Sequence, residues 1–417
     1  MSEKSKKEQD NNFAGCYGLR SKPSEITQWL MGCVEENLER PDEERWAAMI
    51  WGNSGQGKTS IVKQLENHPV TFRGKEYNGF EVVDVPIAQA EELGDLTGLP
   101  ESEIEMKKDN EVKFFIKEDS IISVLIKDGW MPTGKTRTRC APPEWVPTEE
   151  RPGIILFDDA NRAGLRIMKG IMQLLQNYKM TAWKIPAGWT IVMTGNPDNR
   201  SYSVTSQDSA MLTRLKHITF ETDVKEWAQW ATNSNLDSRG IAFLLRYPEM
   251  MIGTELTNPR TLSEFFRTLK RYPNIDGDNR RLVLRDARSL LDEMTVATMM
   301  TFFQKDLQFC ITPEDILESP EKAEKELTRL IDTKEPRIDI LNVINDRLVA
   351  YIGSHNYEFK EGHVEALHKW VLDKNHPKDM SFALCRGVAS TESVYKRKLL
   401  SGKEILKMIT DNSNYKA

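Results

Sequence analysis

Cysteine and histidine are scarce in this sequence. The five cysteines form no C-x-x-C pair, and their odd total does not suit a framework of paired disulfides. Of the six histidines, His363 and His368 are five residues apart, which places them on different faces of a helix, and no cysteine or carboxylate cluster joins them. The sequence therefore suits a reducing compartment and predicts no histidine-based zinc site. The cysteines are Cys16, Cys33, Cys140, Cys310 and Cys385.

Long apolar runs and an excess of positive charge are also missing. No segment approaches the roughly 20 consecutive apolar residues that cross a bilayer, and the start, MSEKSKKEQDNN, is charged with no apolar run behind it. The formal net charge of −6 disfavours whole-surface attraction to nucleic acid, because such affinity comes mainly from neutralising phosphates. We therefore expect a cytoplasmic protein without a membrane partner, and nucleic acid is a disfavoured partner, although a local basic patch is compatible with this charge.

Apolar strand patterns alternate with helical patterns in the first half of the chain. Wholly apolar strands separated by helices indicate a parallel sheet with both faces covered. The predicted fold class is therefore α/β, a P-loop parallel sheet flanked by helices and followed by all-α regions. The predicted buried strands are residues 47–51, 80–88, 153–159 and 189–198.

The composition predicts several parts along the 417 residues, enough for two to three modest cores. Residues 1–20 are polar, and we predict a flexible segment there. Residues 21–222 carry the α/β pattern, interrupted at about 100–150 by a charged, proline-rich insertion that is the least regular part. From about residue 223 the pattern is helical, and we divide it into 223–310 and a strongly charged region, 311–417.

A glycine-rich segment, GNSGQGKTS, follows the first predicted buried strand and opens a helix, as the pattern G-x-x-x-x-G-K-[ST] requires. Its glycines let the backbone N–H groups turn toward phosphates, Lys58 reaches the β and γ phosphates, and Thr59 offers a hydroxyl to magnesium. We therefore predict that ATP and Mg²⁺ bind here. The predicted nucleotide-binding residues are Gly52, Asn53, Ser54, Gly55, Gln56, Gly57, Lys58, Thr59 and Ser60.

The same pattern occurs a second time, at residues 129–136. Pro132 lacks the N–H that a phosphate cradle uses, and two prolines within seven residues of Thr136 prevent a helix from starting there. We therefore interpret this copy as a coincidental match in a loop. Its cations are typical of a solvated loop rather than a binding patch: Lys127, Lys135, Arg137 and Arg139.

Two acids and an amide follow later strands. Asp158 ends the apolar run GIILF and supplies the carboxylate that magnesium needs near the phosphates, so Thr59 and Asp158 are the predicted metal ligands. Asp159 beside it is placed to position or deprotonate the attacking water. Asn196, just past the strand TIVMTG, can orient the water or the γ-phosphate. We expect Asp158 to lie at the tip of a strand adjacent to the strand that carries the loop.

Six segments occur in an order that resembles the MoxR-type or dynein-related AAA+ ATPases: GNSGQGKTS, DVPIAQAEELGDLTGLP, GIILFDDANRA, QLLQNYKMTAWKIPAGWTIVMTGNPDN, DSAMLTRLKHI and TNPRTLSEF. The resemblance covers about residues 20–270. It implies that residues 223–310 form a helical lid, and that the ATP site lies between neighbouring subunits of a ring, usually a hexamer.

The resemblance also implies roles for single residues. Lys58 and Asp159 become catalytic residues, and Asn196 becomes sensor 1. Arg214, in AMLTRL, becomes an arginine finger that reaches a neighbour's γ-phosphate, and Arg260, in NPRT, becomes sensor 2. Arginine suits both roles because it is a permanent cation whose planar fork pairs with phosphate oxygens.

Two positions depart from the family pattern. The family usually has glutamate where this chain has Asp159, and a shorter carboxylate can hold the water less well, which predicts slow hydrolysis. Leu215 stands where phenylalanine is usual, a change of packing rather than of charge. Neither departure alters the predicted nucleotide-binding loop.

The leading functional prediction is a ring-forming ATPase, a MoxR-like chaperone or motor that remodels a protein client. The family implies a partner that carries a von Willebrand A domain. Two other functions stay open. One is a nucleic-acid motor or loader that uses the same ATP machinery, and the other is a nucleotide-gated scaffold that hydrolyses ATP slowly.

Overall fold

The structure, a computed structural model, describes residues 16–197, 209–252, 254, 256–305, 311–333, 336–354 and 357–412. The chain forms two compact units, of which the first ends at Glu221 and the second begins at Thr222. Most of the segment predicted to be flexible, and Cys310, lie outside the described residues. The finer division at residues 310 and 311 stays a prediction.

Strands and helices alternate along the first unit. Its strands are β1 Leu19–Ser21, β2 Ala47–Trp51, β3 Val70–Phe72, β4 Lys75–Tyr77, β5 Glu81–Val85, β6 Leu99–Lys108, β7 Glu111–Ile116, β8 Met131–Ala141, β9 Gly153–Phe157, β10 Trp189–Gly195 and β11 Leu215–Phe220. Its α-helices are α1 Pro23–Leu38, α2 Lys58–Gln64, α3 Gly94–Thr97, α4 Asp119–Lys127, α5 Leu165–Asn177 and α6 Ser209–Leu212. Short 3₁₀ turns are Asp42–Glu44, Leu65–Asn67, Ile87–Gln89 and Ala160–Arg162.

A six-stranded sheet forms the centre of the first unit. Its strands lie in the order β1, β11, β2, β10, β9, β5, and every neighbouring pair is parallel. Strands β2, β9 and β10 are buried at every residue, which agrees with their mostly apolar sequences, although β10 also contains Thr190 and Thr194. Because the strands are parallel, the segments that follow β2, β9 and β10 all emerge at the carboxyl end of the strands.

Helices cover both faces of this sheet. Successive side chains of each inner strand point to opposite sides, so each inner strand has apolar side chains on both faces for the helices to cover. On one face Ile155 packs in a core with Ile167 of α5. On the other face Ile154 packs with Leu30 of α1 and Ile61 of α2. Each fully buried aliphatic side chain contributes about 1.5–3 kcal/mol, so the two cores hold the strand ends in fixed positions. The predicted parallel sheet flanked by helices is confirmed.

The sheet edges differ from the sequence prediction. Residues 80–88 are predicted to be a buried strand, but β5 has only β9 as a neighbour, and Glu81 and Asp84 are exposed. At the other edge, β1 begins within the segment predicted to be flexible and pairs with β11, with Leu19 opposite Ile218. Strand β11 has no counterpart among the predicted strands, because its sequence LKHITF is interrupted by a lysine and a histidine.

The insertion at about 100–150 is an ordered structure rather than an irregular one. Strands β7, β6 and β8 form an antiparallel sheet in that order, and α4 connects β7 to β8. The second copy of the glycine-rich pattern therefore runs into a strand, with Thr136 opposite Ile104, and the prediction of a loop there is wrong. Cross-strand ion pairing supports the strand, since Arg137 Nε lies 2.6 Å from Glu103 Oε2.

The second unit is helical. Its α-helices are α7 Val224–Asn233, α8 Ser238–Arg246, α9 Pro259–Leu269, α10 Gly277–Arg288, α11 Glu293–Lys305, α12 Pro313–Glu318, α13 Pro320–Ile331, α14 Ile338–Ile352, α15 Gly362–Leu372, α16 Lys378–Ser390, α17 Lys396–Leu399 and α18 Lys403–Asn412, with a 3₁₀ turn at Pro248–Ile252. Two apolar clusters hold them, one centred on Phe243 and Phe266 and the other on Leu348 and Trp370. None of the helices in the described parts of the chain has the length and hydropathy that a bilayer span requires.

Candidate functional site

The glycine-rich loop lies between the carboxyl end of β2 and the start of α2 at Lys58. Gly55 and Gly57 have φ angles of +77° and +103°, which residues with a side chain rarely adopt. Gly52 is required for a different reason, because a Cβ there would lie 2.5 Å from Gln56 Oε1 and 2.9 Å from the Cβ of Phe220. The loop therefore has the tight curvature that the sequence pattern predicts.

Lys58 is almost fully buried, with 6% of its surface exposed. Its ammonium donates to the carbonyl oxygens of Gly52 at 2.8 Å and Asn53 at 2.9 Å, and to Asn196 Oδ1 at 3.1 Å. The Lys58 side chain thus folds back over the glycine-rich loop and binds the first two carbonyl groups of that loop. The contact with Asn196 joins two of the predicted site residues, which are 138 positions apart in the sequence.

Thr59 and Asp158, the two predicted metal ligands, are in direct contact. The Thr59 hydroxyl donates to Asp158 Oδ1 at 2.8 Å. The strand that carries Asp158 is not adjacent to the loop strand, however, since β10 lies between β2 and β9. The expectation of an adjacent strand is therefore wrong. The contact forms because Thr59, in the first turn of α2, reaches past the end of β10.

Thr194 is a site residue that the sequence reasoning missed. This buried threonine of β10 donates from Oγ1 to Asp158 Oδ1 at 2.6 Å and accepts from the backbone N–H of Asp159 at 2.9 Å. One hydroxyl thereby orients both acids, and it fills the gap that β10 leaves between Thr59 and Asp158. The available signal was a hydroxyl residue near the carboxyl end of a mostly apolar strand.

Asp159 has a left-handed backbone, with φ +49° and ψ +39°. Aspartate and asparagine are the residues with side chains that adopt this region most readily. Its Oδ1 accepts from Asn196 Nδ2 at 2.7 Å, and its Oδ2 lies 3.5 Å from Arg162 Nε. Asn196 therefore bridges Lys58 and Asp159.

Asn161 is a second residue that the sequence reasoning missed. Its Nδ2 donates to the carbonyl of Asn196 at 2.7 Å, and its Oδ1 accepts from the Asn196 N–H at 3.0 Å. Only 3% of its surface is exposed. Asn161 lies two positions after Asp159 in DDANRA, where a polar residue after a strand is ordinarily interpreted as part of a turn.

An aromatic cluster adjoins the loop through Trp51, the last residue of β2. Trp51 Nε1 donates to His217 Nδ1 at 3.0 Å, and His217 Nε2 contacts the carbonyl of Leu212 at 2.8 Å. The imidazole is therefore neutral with its proton on Nε2. Burial lowers the pKa of His217 below its ordinary value, against a smaller opposing effect of the Leu212 carbonyl.

Arg214 lies away from these residues. Arg214 immediately precedes β11, at the amino end of the sheet, and its Nη1 donates to the carbonyl of Ala210 at 2.6 Å. Arg260 belongs to the second unit, where it is the exposed second residue of α9. Its backbone N–H donates to the N-cap Asn258 at 3.0 Å. Both roles implied by the resemblance stay predictions.

The second copy of the pattern has different surroundings. Lys135 lies in β8, and its Nζ is 3.5 Å from Glu105 Oε1. No helix follows it, since β8 runs on to Ala141. The backbone of this segment belongs to a sheet strand, whereas the segment Gly52–Thr59 forms a curved loop before a helix.

The described residues contain no group of three or more His, Cys, Asp or Glu side chains that could hold a metal ion. His363 lies near the Tyr357 hydroxyl at 3.1 Å, and His368 contacts the Leu399 carbonyl at 3.0 Å. The oxygens of Thr59 and Asp158 are hard ligands of the kind that magnesium prefers, and magnesium takes its remaining ligands from water and phosphate. The residues present therefore fit a magnesium–nucleotide complex.

No protein-family model and no curated protein matches this chain. Solved structures that are weakly similar to it include two with assigned names. A candidate ATPase from Cytophaga hutchinsonii is 12% identical, with 94% of this chain and 89% of that chain covered and a TM-score of 0.28. A mutant RuvB from Thermotoga maritima is also 12% identical, with 71% of this chain and 82% of that chain covered and a TM-score of 0.34. Likenesses this weak carry no argument about activity, so the functional inference depends on the geometry of the site.

Proposed function

We propose that this protein binds Mg-ATP on the loop Gly52–Thr59 and hydrolyses it. The observation that carries the proposal is the 2.8 Å contact between the Thr59 hydroxyl and Asp158 Oδ1. It joins the end of the glycine-rich loop to an acid 99 residues later, the pairing that a magnesium ion beside a bound triphosphate needs. The tight loop and the buried lysine support the same function.

Each residue of the site has a proposed task. Lys58, now held by two loop carbonyls and by Asn196, pairs with the β and γ phosphates of bound ATP. Thr59 and Asp158 would hold magnesium, which would supply positive charge against the negative charge that develops on the phosphate oxygens. Asp159 orients the attacking water and accepts its proton.

Asn196 has a proposed role that follows from its two contacts. Its Oδ1 accepts from Lys58 and its Nδ2 donates to Asp159. Nucleotide that draws the Lys58 ammonium toward its phosphates therefore frees the Asn196 amide oxygen. We propose that this exchange lets Asn196 orient the γ-phosphate and the attacking water together, while Asp159 turns toward the water.

The position of Arg214 supports a site shared between subunits. Strands β2 and β11 are parallel, with Leu215 opposite Ala47 and Thr219 opposite Trp51. Arg214 and Gly52 therefore lie at opposite ends of the sheet, roughly 15–20 Å apart along the strands. That separation exceeds the reach of an arginine side chain. If Arg214 acts on a γ-phosphate, the phosphate belongs to a neighbouring copy, which is the arrangement of a ring.

We propose that the protein assembles into a homo-oligomeric ring, a hexamer as the family resemblance implies, and that this ring acts as a MoxR-like motor on a protein client. The antiparallel insertion and the helical region 311–417 are the proposed client-contacting parts. Arg260 is the proposed sensor that couples nucleotide to residues 223–310, the lid that the resemblance implies. A partner with a von Willebrand A domain belongs to the same proposal. Co-purification with such a partner and analytical ultracentrifugation with ATP test these points.

A nucleotide-gated scaffold is the second candidate, and the contacts of Asp159 favour it. Both carboxylate oxygens of Asp159 have partners, Asn196 at 2.7 Å and Arg162 at 3.5 Å, so the acid is not directed freely at a water. Wild-type turnover at the level of the Lys58→Ala variant, with ATP binding intact, would favour the scaffold. Turnover stimulated by DNA alone would instead favour a nucleic-acid motor.

The two glycine-rich segments offer a matched test of the nucleotide site. Lys58→Ala should raise the Kd for ATP by about 100-fold, because a charge-assisted contact to phosphate is lost. Lys135→Ala should leave the Kd unchanged, since Lys135 pairs with Glu105 on a strand. Both affinities are measured with a fluorescent ATP analogue and magnesium. Loss of binding in Lys135→Ala but not in Lys58→Ala would move the site to the other segment.

A further inference from the structure

The side chain of Asn161 holds the backbone of Asn196 just beyond the residues at which β10 pairs with its neighbouring strands. Strand β10 pairs with β2 up to Gly195 opposite Trp51, and with β9 up to Met193 opposite Phe157. Asn196 lies beyond the last of these pairs. Its N–H and its carbonyl are bound by the side-chain amide of Asn161, at 3.0 and 2.7 Å. The amide therefore substitutes for one more residue of a neighbouring strand.

The space around this pairing is tight. A Cβ on Gly195 would lie 2.4 Å from Met49 Cε and 3.2 Å from Asn161 Oδ1. Asn161 and Asn196 are exposed by only 3% and 0%. Close packing and two hydrogen bonds leave the Asn196 backbone little freedom, so the direction of its side chain is set by Asn161.

We propose that Asn161 is a positioning residue for ATP hydrolysis, an inference that depends on the proposed function. It acts through Asn196, whose side chain contacts Lys58 at 3.1 Å and Asp159 at 2.7 Å. A shift of the Asn196 backbone moves both contacts at once. A displacement of about 1 Å at such a residue can lower turnover by roughly 100-fold.

A purely structural role for Asn161 is the competing explanation, and the same unit contains an ideal comparison. Asn37 makes the same pair of bonds to one backbone residue: its Nδ2 donates to the Trp46 carbonyl at 2.7 Å and its Oδ1 accepts from the Trp46 N–H at 3.1 Å. It is 1% exposed. Trp46 precedes β2, at the end of the sheet opposite to the glycine-rich loop. Asn37 also donates to Thr190 Oγ1 at 3.2 Å. The two asparagines thus share the pair of backbone bonds and differ in location.

The experiment compares Asn161→Ala with Asn37→Ala in the full chain. Three quantities are measured: the melting temperature, kcat and KM for Mg-ATP, and hydrogen exchange of the peptide 189–197 without nucleotide. We expect both variants to lower the melting temperature by similar amounts. Only Asn161→Ala should lower kcat, by about 10- to 100-fold with a KM within about threefold of wild type, and only it should speed exchange at the Asn196 amide.

Each outcome decides a different point. A kcat of Asn161→Ala equal to that of Asn37→Ala would overturn the positioning role, as would unchanged exchange at Asn196. Absence of ATP turnover in the wild type would overturn the proposed function instead. The exchange measurement would still test whether Asn161 holds the backbone of Asn196. If Asn161→Ala does not fold, Asn161→Asp replaces it. The aspartate keeps an acceptor for the Asn196 N–H and loses the donor, so kcat should again fall while a structural role predicts wild-type turnover.

Discussion

Thr194→Val removes one hydroxyl from the candidate site and little else. Valine has nearly the shape of threonine, so the packing of the buried β10 strand is retained. The change deletes the 2.6 Å bond to Asp158 Oδ1 and leaves the Asp159 N–H without its 2.9 Å acceptor. Thr190→Val is the matched control, because Thr190 is equally buried on the same face of β10 and accepts only a 3.2 Å bond from Asn37.

The magnitudes follow from the bonds lost. A hydrogen bond to a charged group contributes about 1.5–3 kcal/mol, and a neutral bond about 1 kcal/mol. Asp158 is partly exposed and keeps the bond from Thr59, so the lower part of the range applies to Thr194→Val, about 2–3 kcal/mol in all. For a unit of about 200 residues this lowers the melting temperature by about 4–12 °C. Thr190→Val should lose about 1 kcal/mol, or about 2–4 °C.

Activity separates the two variants further. Thr194→Val frees both acids from their common hydroxyl, so kcat for Mg-ATP should fall by at least about 10-fold, whereas Thr190→Val should keep the wild-type kcat. Thermal melts and steady-state ATPase assays on both purified variants measure these effects. If the two variants show the same melting temperature and the same kcat, then Thr194 does not orient Asp158 and Asp159, and the reasoning fails.

Two further predictions concern Arg214 and His217. Arg214→Ala should leave the Kd for ATP unchanged and lower turnover by at least about 100-fold. Mixing the Arg214→Ala and Lys58→Ala proteins should restore part of the turnover only if the site is shared between copies. No recovery of turnover in the mixture would oppose a shared site. Because burial lowers the folded-state pKa of His217, the unfolded chain binds its proton more readily, so stability present above the unfolded pKa of about 6.5 is lost as the pH falls below it. His217→Gln, whose amide can still accept from Trp51, should therefore show a smaller drop in melting temperature between about pH 7.5 and 5.5, and an equal drop would assign the acid sensitivity to other groups.

The sheet interior and the curved glycine-rich loop could be predicted from sequence for a clear reason. Strands β2, β9 and β10 are mostly apolar and are followed by glycine or polar residues, and both signals are local. The predicted acids and Asn196 follow such strands, so the parallel arrangement alone brings them to one edge. Their direct contacts with Thr59 and Lys58 agree with that expectation.

The remaining features depend on tertiary contacts that leave weak local signals. Strand β1 has three residues, of which Leu19 is 77% exposed, and it forms only because β11 offers a partner. The order of β10 and β9 relative to β2 cannot be inferred from a list of strands, which is why the adjacency of Asp158 was predicted wrongly. Thr194 and Asn161 act through hydrogen bonds to residues that are distant in sequence, so neither belongs to a recognisable motif.

The left-handed turn at Asp159 constrains how the chemistry of this site can change. An ordinary L-residue in that region of backbone space carries a penalty of about 1–2 kcal/mol, and short polar side chains are the usual occupants. A longer acid would extend farther toward a water, but it would also favour a different backbone angle and pull on the Asn196 amide. Carboxylate length and local chain direction are therefore coupled at this position. A substitution that lengthens the acid but does not keep the turn would bring the carboxylate nearer to a water and at the same time move it out of its aligned position.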